Sequence, residues 1–145
     1  RCSCKQSEID SYKRKISGPL MDRIDMQINL SRVEFSELKT KEKGESSAAI
    51  RERVVKARLL QQERLEALGM HCNAQMGRSE VVKYCQLDAA AQNVMERYFN
   101  MLNLSARSHD RILKVARTIA DLAGSENIEA VHLAEAIQLR TSVRP

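Results

Sequence analysis

Leu104-Ser105-Ala106-Arg107-Ser108-His109-Asp110-Arg111-Ile112-Leu113-Lys114-Val115-Ala116-Arg117-Thr118-Ile119-Ala120-Asp121-Leu122-Ala123-Gly124 reads as one helix with both ends marked. Ser105 suits the N-cap, because its hydroxyl accepts a backbone N–H of the first turn. Gly124 stands where the chain leaves a helix through a left-handed residue. Ile112, Val115, Ile119 and Leu122 recur at helical spacing, with Ala116, Ala120 and Ala123 beside them, so one stripe faces a core. Arg107, Arg111 and Lys114 stand at i, i+4 and i+7 and share another face. The plain reading is a core helix with a solvated row of cations.

Composition agrees with helices around that stripe. Aromatic residues make up 3% of the 145 and Trp is absent, so the core is built from Leu, Ile, Val, Met and Ala, which favours packed helices over a sandwich or barrel. The length suits one domain with an appendage. The net charge of +5 is uneven: residues 1–69 hold 15 Lys/Arg against 11 Asp/Glu, and residues 70–145 hold 9 against 8. Such an excess is compatible with a polyanionic partner and does not by itself demand one. No apolar run approaches the roughly 18 residues of a spanning helix, and no signal peptide stands out, so no membrane partner is expected and the expected location is cytoplasmic, with reduced thiols.

The chain opens on Arg1-Cys2-Ser3-Cys4, which looks like the middle of a longer sequence. Cys2 and Cys4 are either surface thiols or half of a zinc cluster, since a structural zinc site needs about four ligands. Cys72 and Cys85 are isolated and suit a core, where a free Cys behaves as a small apolar residue. A helix is predicted from Ser7, as N-cap, to Ile16. Gly18-Pro19 opens a short turn of helix. Ile24, Met26, Ile28 and Leu30 then alternate with Asp25, Gln27 and Asn29, the pattern of a half-buried strand. A single strand makes no sheet, so it is an orphan within these residues.

Residues 31–47 are polar and charged and read as a linker. Ser47 is predicted to cap a long helix through Leu68 that Gly69 closes, with Ile50, Val54, Ala57, Leu60, Leu65 and Leu68 as its apolar stripe and Arg51, Arg53, Lys56, Arg58 and Arg64 around it. Further helices are predicted from Ser79 to Cys85, from an Asp88 cap through Leu102, and from an Asn127 cap over Glu129 to Arg140. Helices joined by short turns form a small bundle. The fold class is mainly α: a small helical bundle behind an N-terminal segment that carries one orphan strand.

The five glycines open no G-x-x-x-x-G-K-[ST] phosphate loop, and HExxH and G-x-S-x-G are absent too. His71, His109 and His132 are scattered without ligand spacing. The residues alone stop at a helical bundle that presents a row of arginines.

Two stretches go further. Ser17-Gly18-Pro19-Leu20-Met21-Asp22-Arg23-Ile24-Asp25 resembles the segment before the last core strand of AAA+ ATPases in the magnesium-chelatase and replicative-helicase branch. Ala116-Arg117-Thr118-Ile119-Ala120-Asp121-Leu122, followed by His132-Leu133-Ala134-Glu135-Ala136-Ile137, resembles the lid domain of that branch. Together they resemble the C-terminal part of bacterial magnesium-chelatase-like proteins of the ComM/YifB type. The resemblance implies four parts: residues 1–31 as the end of an α/β core, 32–46 as a mobile linker, 47–69 as a helix inserted before the lid, and 70–145 as the lid. It implies that Arg23 is an arginine finger acting in trans on ATP held by a neighbouring subunit. Arg107 would be the sensor-2 arginine, with Arg111 and Arg117 as further candidates for that duty. Cys2 and Cys4 would be half of a four-cysteine zinc cluster.

The parent implied is a homo-hexameric motor that uses ATP and Mg2+ and acts on DNA, in branch migration or recombination during natural transformation. These residues lack Walker A and Walker B segments, so on their own they are expected to hold no cofactor and hydrolyse no ATP. The alternatives are a non-enzymatic basic module that binds nucleic acid or protein, and a magnesium-chelatase-type subunit.

Overall fold

A computed structural model describes residues 3–35 and 44–141. Its helices, in chain order, are α1 (Gln6–Lys13), α2 (Gly18–Met21), α3 (Ser47–Leu65), α4 (Arg78–Tyr84), α5 (Ala89–Leu102), α6 (Ala106–Ala123) and α7 (Ala130–Thr141), with 3-10 turns at Glu66–Leu68 and Asn73–Gln75. The ends of α6 are the expected ones. Ser105 Oγ accepts the Ser108 N–H at 3.2 Å, and Gly124 takes φ +69°, a conformation that costs glycine little. Asp88 likewise caps α5 by accepting the Ala91 N–H at 2.7 Å.

α6 is the axis of a small helical bundle. It packs on α3, α4 and α7, and α7 also packs on α5. Ile112, Leu113, Ala116 and Ala120 of α6 are buried against Leu65, Val81, Met95, Leu133 and Ile137. The alanines let the neighbouring helices approach closely, and the branched residues fill the gaps. A single parallel bridge, Leu87 to Ile128, ties the turn before α5 to the turn before α7. No helix among the described residues is long and apolar enough to cross a membrane.

Several elements differ from the sequence expectations. Residues 24–30 form no strand. The apolar members of that alternation face outward, with Met26 54%, Ile28 66% and Leu30 91% exposed, while Gln27 turns toward the bundle and donates its N–H to the Leu139 carbonyl at 2.6 Å. A strand needs a partner edge for its backbone groups, and no sheet is present among the described residues. α1 starts at Gln6 rather than after Ser7, because the Glu8 carboxylate reaches back to the Lys5 N–H at 2.7 Å. It ends at Lys13, before Ile16.

α3 is capped by Ser46, one residue before the expected cap, with Ser46 Oγ accepting the Ala49 N–H at 3.2 Å. Its expected stripe is only partly buried: Ala57, Gln61 and Leu65 face the core, while Ile50, Val54, Leu60 and Leu68 are exposed. α4 starts at Arg78, because the Glu80 carboxylate takes the Gly77 N–H at 2.7 Å. α7 starts at Ala130. There His132 Nδ1 accepts the Glu129 N–H at 3.1 Å, and the Asn127 carbonyl accepts the Ser125 hydroxyl at 2.9 Å, so Asn127 serves through its backbone. Residues 36–43, most of the expected linker, lie outside the described residues.

One carboxylate joins most of these pieces. The Asp121 side chain is fully buried on α6. It accepts from Arg64 of α3 at 2.6 and 3.0 Å, from Asn73 of the second 3-10 turn at 2.8 Å, and from Arg117 Nε at 3.0 Å. Arg117 in turn donates to the carbonyls of Ser125 and Glu126 at 2.6 and 2.8 Å, which fixes the α6–α7 turn. Asn73 adds its N–H to Gln61 Oε1 at 3.3 Å and its amide to Thr118 Oγ1 at 3.1 Å. Two guanidinium groups balanced by one buried carboxylate make that carboxylate hard to lose. Asp121→Ala is therefore expected to lower unfolding free energy by about 3–5 kcal/mol in guanidinium titration, whereas a loss below about 1 kcal/mol would contradict this role for Asp121.

Candidate functional site

Arg23 is presented by a short, self-contained turn. Ser17 Oγ accepts the Leu20 N–H at 3.4 Å at the start of α2, Pro19 sits in the first turn, and the Arg23 and Ile24 N–H groups close on the Leu20 and Met21 carbonyls at 2.9 and 3.1 Å. The next contacts carry this turn onto the bundle. Arg140 of α7 donates to the Ile24 carbonyl at 2.8 Å and to the Asp22 carbonyl at 3.1 Å. Arg111 of α6 donates to the Arg23 carbonyl and to the Asp25 carboxylate. Three successive carbonyls, of residues 22, 23 and 24, thus accept from two arginines of α6 and α7.

That docking sets Arg23 at one wall of a cleft of about 640 Å³. Arg78, Arg107, Arg111 and Lys114 line it too, over a floor of Met76, Gly77 and Val81, and Asp110 is the acid in the lining. Asp110 is already engaged by Arg78 and by His109 Nδ1, the latter at 3.0 Å. Arg111 is satisfied by Asp25, and Lys114 Nζ donates to the Ala74 carbonyl at 3.2 Å. The side chains of Arg23 and Arg107 make no hydrogen bond or ion pair with other described residues and are exposed.

Unneutralised like charges that face one cleft repel, and an anion there relieves the repulsion. Arg107 also lies in the first turn of the 18-residue α6, where free N–H groups and the helix dipole favour negative charge. The donors fit a phosphate group better than a metal ion, since every lining nitrogen carries protons at neutral pH.

The structure thus brings together Arg23, Arg107 and Arg111, along with Arg78 and Lys114. It separates Arg117 from them. Arg117 is 3% exposed and its guanidinium is taken up by Asp121 and two turn carbonyls, so its place is structural and its candidacy for nucleotide contact is withdrawn. The sequence reading missed Arg140 and Ser108. Arg140 reads as an ordinary cation near a helix C-terminus, and only its burial, at 5% exposure, reveals a different use.

Comparison with known proteins gives a consistent picture. Residues 44–140 match the family profile described as magnesium chelatase, subunit ChlI C-terminal, and residues 1–38 match the one described as magnesium chelatase, subunit ChlI. The chain is 40% identical over 138 residues to the competence protein ComM of Haemophilus influenzae, covering 94% of this chain and 26% of that protein. It is 36% identical over 138 residues to the uncharacterized protein YifB of Escherichia coli, again covering 94% and 26%. The chain therefore spans about a quarter of the length of the curated relatives it matches.

Among the described residues the cysteines assemble no metal site. Cys2 lies outside the described residues, Cys4 is exposed, and Cys72 and Cys85 are free thiols on the bundle. No group of three or more His, Cys, Asp or Glu among the described residues is placed to hold a metal ion, so these residues do not supply the four ligands of a structural zinc site. Cys85 is buried in the core, and burial pushes its thiol up from 9.0 to about 11. Its thiolate is thus about 100-fold scarcer near neutral pH than that of an unperturbed thiol. Under iodoacetamide at pH 8, Cys85 is expected to react at least about 100-fold more slowly than Cys4 and to catch up only in denaturant; equal native rates would contradict the burial.

Proposed function

The chain belongs to the magnesium chelatase subunit ChlI family, and from that membership we propose that it forms the finger and lid of a longer AAA+ ATPase. Arg23 acts in trans on the γ-phosphate of ATP bound by a neighbouring subunit of a homo-hexamer. Arg107 reads the same nucleotide from the first turn of α6. The observation that carries this reading is that Arg23 and Arg107, from distant parts of the sequence, line one cleft and are both unpaired among the described residues.

The chemistry follows from charge. In phosphoryl transfer negative charge spreads over the equatorial oxygens of the transferred group, and a guanidinium brought within hydrogen-bond distance stabilises it. An exposed arginine with no partner among the described residues is suited to this, because it gives up no such contact when the phosphate arrives. Arg111 is already committed to Asp25 and to the Arg23 carbonyl, so its task is to hold the finger rather than to touch nucleotide. Mg2+ and the residues that bind adenine and the β-phosphate belong to the parts of the parent beyond this chain.

The parent works on DNA in this reading, as a translocating or remodelling motor. The support is a relative's name: the Haemophilus influenzae protein is a competence protein. In the full-length protein, Arg23→Ala is expected to cut ATP turnover by roughly 1,000-fold and Arg107→Ala by at least about ten-fold, with unfolding midpoints unchanged. Mixing finger-deficient subunits with subunits that lack the phosphate loop is expected to restore part of the turnover, since each supplies what the other lacks. Turnover at the wild-type level in both single variants would sink the assignment.

A further inference from the structure

We infer that Arg140 is a positioning residue that locks the finger segment to the lid, so that Arg23 and α6 move as one body. This rests on the reading of Arg23 as the finger. The guanidinium of Arg140 is buried, with the residue 5% exposed, and its donors reach both the finger segment and the first turn of α6. Its two Nη groups donate to the carbonyls on either side of Arg23, those of Asp22 at 3.1 Å and Ile24 at 2.8 Å, and Nη2 also donates to Ser108 Oγ at 3.0 Å. The Asp22 carboxylate lies 3.7 Å away. A planar fork that grips two peptides flanking one residue restrains rotation of that residue's backbone, which a single-point ammonium does not do.

The neighbouring contacts extend the lock in both directions. One residue before Arg140, the Leu139 carbonyl accepts the Gln27 N–H at 2.6 Å, so the segment is held at two points along the end of α7. On the other side, Ser108 is 1% exposed, and its hydroxyl lies 3.0 Å from that of Ser105, the cap of α6. Ser108 adjoins Arg107 in sequence. Arg140 therefore joins the mount of Arg23 to the mount of Arg107. A rotation of the lid that moves Arg107 carries Arg23 with it, and a change read by one arginine is felt by the other without a long relay.

The test compares Arg140→Met, Arg140→Lys and Ser108→Ala with Arg23→Ala in the full-length protein. It reads ATP turnover together with hydrogen exchange by mass spectrometry. Arg140→Met is expected to speed exchange at the Gln27 amide by about ten-fold or more while peptides of α5 keep their protection. In the same variant kcat is expected to fall by about ten-fold or more with KM for ATP within about two-fold. Arg140→Lys is expected to fall between Met and wild type, and Ser108→Ala to lower kcat by about three-fold; these two carry the test if the Met variant does not fold.

Wild-type turnover and Gln27 protection in Arg140→Met would overturn the positioning role. So would faster exchange across α5 and α6 as well, which would mark Arg140 as a general support of the fold. Wild-type turnover in Arg23→Ala alone would instead overturn the finger reading, and the lock would then stand or fall on the Gln27 exchange.

Discussion

A single buried carboxylate, Asp121, holds the bundle in register. It accepts from Arg64 of α3, Asn73 of the 3-10 turn and Arg117 of its own helix, and Arg117 passes the connection to the turn before α7. Apolar packing alone would leave α3 free to slide, because a stripe of Ala57 and Leu65 with most of the helix exposed carries little directional information. Bidentate pairing of Arg64 with Asp121 has one geometry, and it fixes the height of α3 along α6. With α6 held in this way, Arg107, Arg111 and Lys114 stand in a row along it and line the cleft.

The second constraint works on charge. Residues 22–27 have no sheet to join among the described residues; instead the carbonyls of Asp22, Arg23 and Ile24 are taken by Arg111 and Arg140. The Arg111 and Arg140 cations are neutralised by peptide dipoles and by Asp25 and Asp22 in doing so, which leaves Arg23 and Arg107 as the cations of the cleft unpaired among the described residues. Supporting charges that are satisfied, beside two exposed arginines unpaired among the described residues, suit the phosphate contact proposed above, since the supporting groups need not rearrange. The basic face of α6 therefore does more than contact solvent: part of it is scaffold and part is presented.

Much of this was legible before the structure. The caps at Ser105, Gly124 and Asp88 were readable because each rests on one residue's own hydrogen bond or backbone freedom. The meeting of Arg23 with Arg107 in one cleft was given neither by spacing nor by resemblance; the contacts that bring it about are those of Arg111 and Arg140 to residues 22–25, far away in sequence. Arg117 shows the same limit in reverse. It lies between the basic face and the buried stripe of α6, and the buried Asp121 one turn on draws it inward. The alternation from Ile24 to Leu30 was read correctly as a pattern, but a strand is a property of two chains, and the pattern names only one. On α3, Gln61 displaced the expected apolar stripe because its amide meets the Asn73 N–H, a polar contact that hydrophobic periodicity cannot register.

The most direct measurement is the distance distribution between spin labels placed at positions 23 and 107, in the full-length protein with its exposed cysteines replaced by serine. Residues 22–27 docked on the helical bundle give one narrow distribution that persists with and without nucleotide. A broad distribution, or two populations that exchange when nucleotide is added, would show that residues 22–27 move independently of α6 and would contradict a shared cleft.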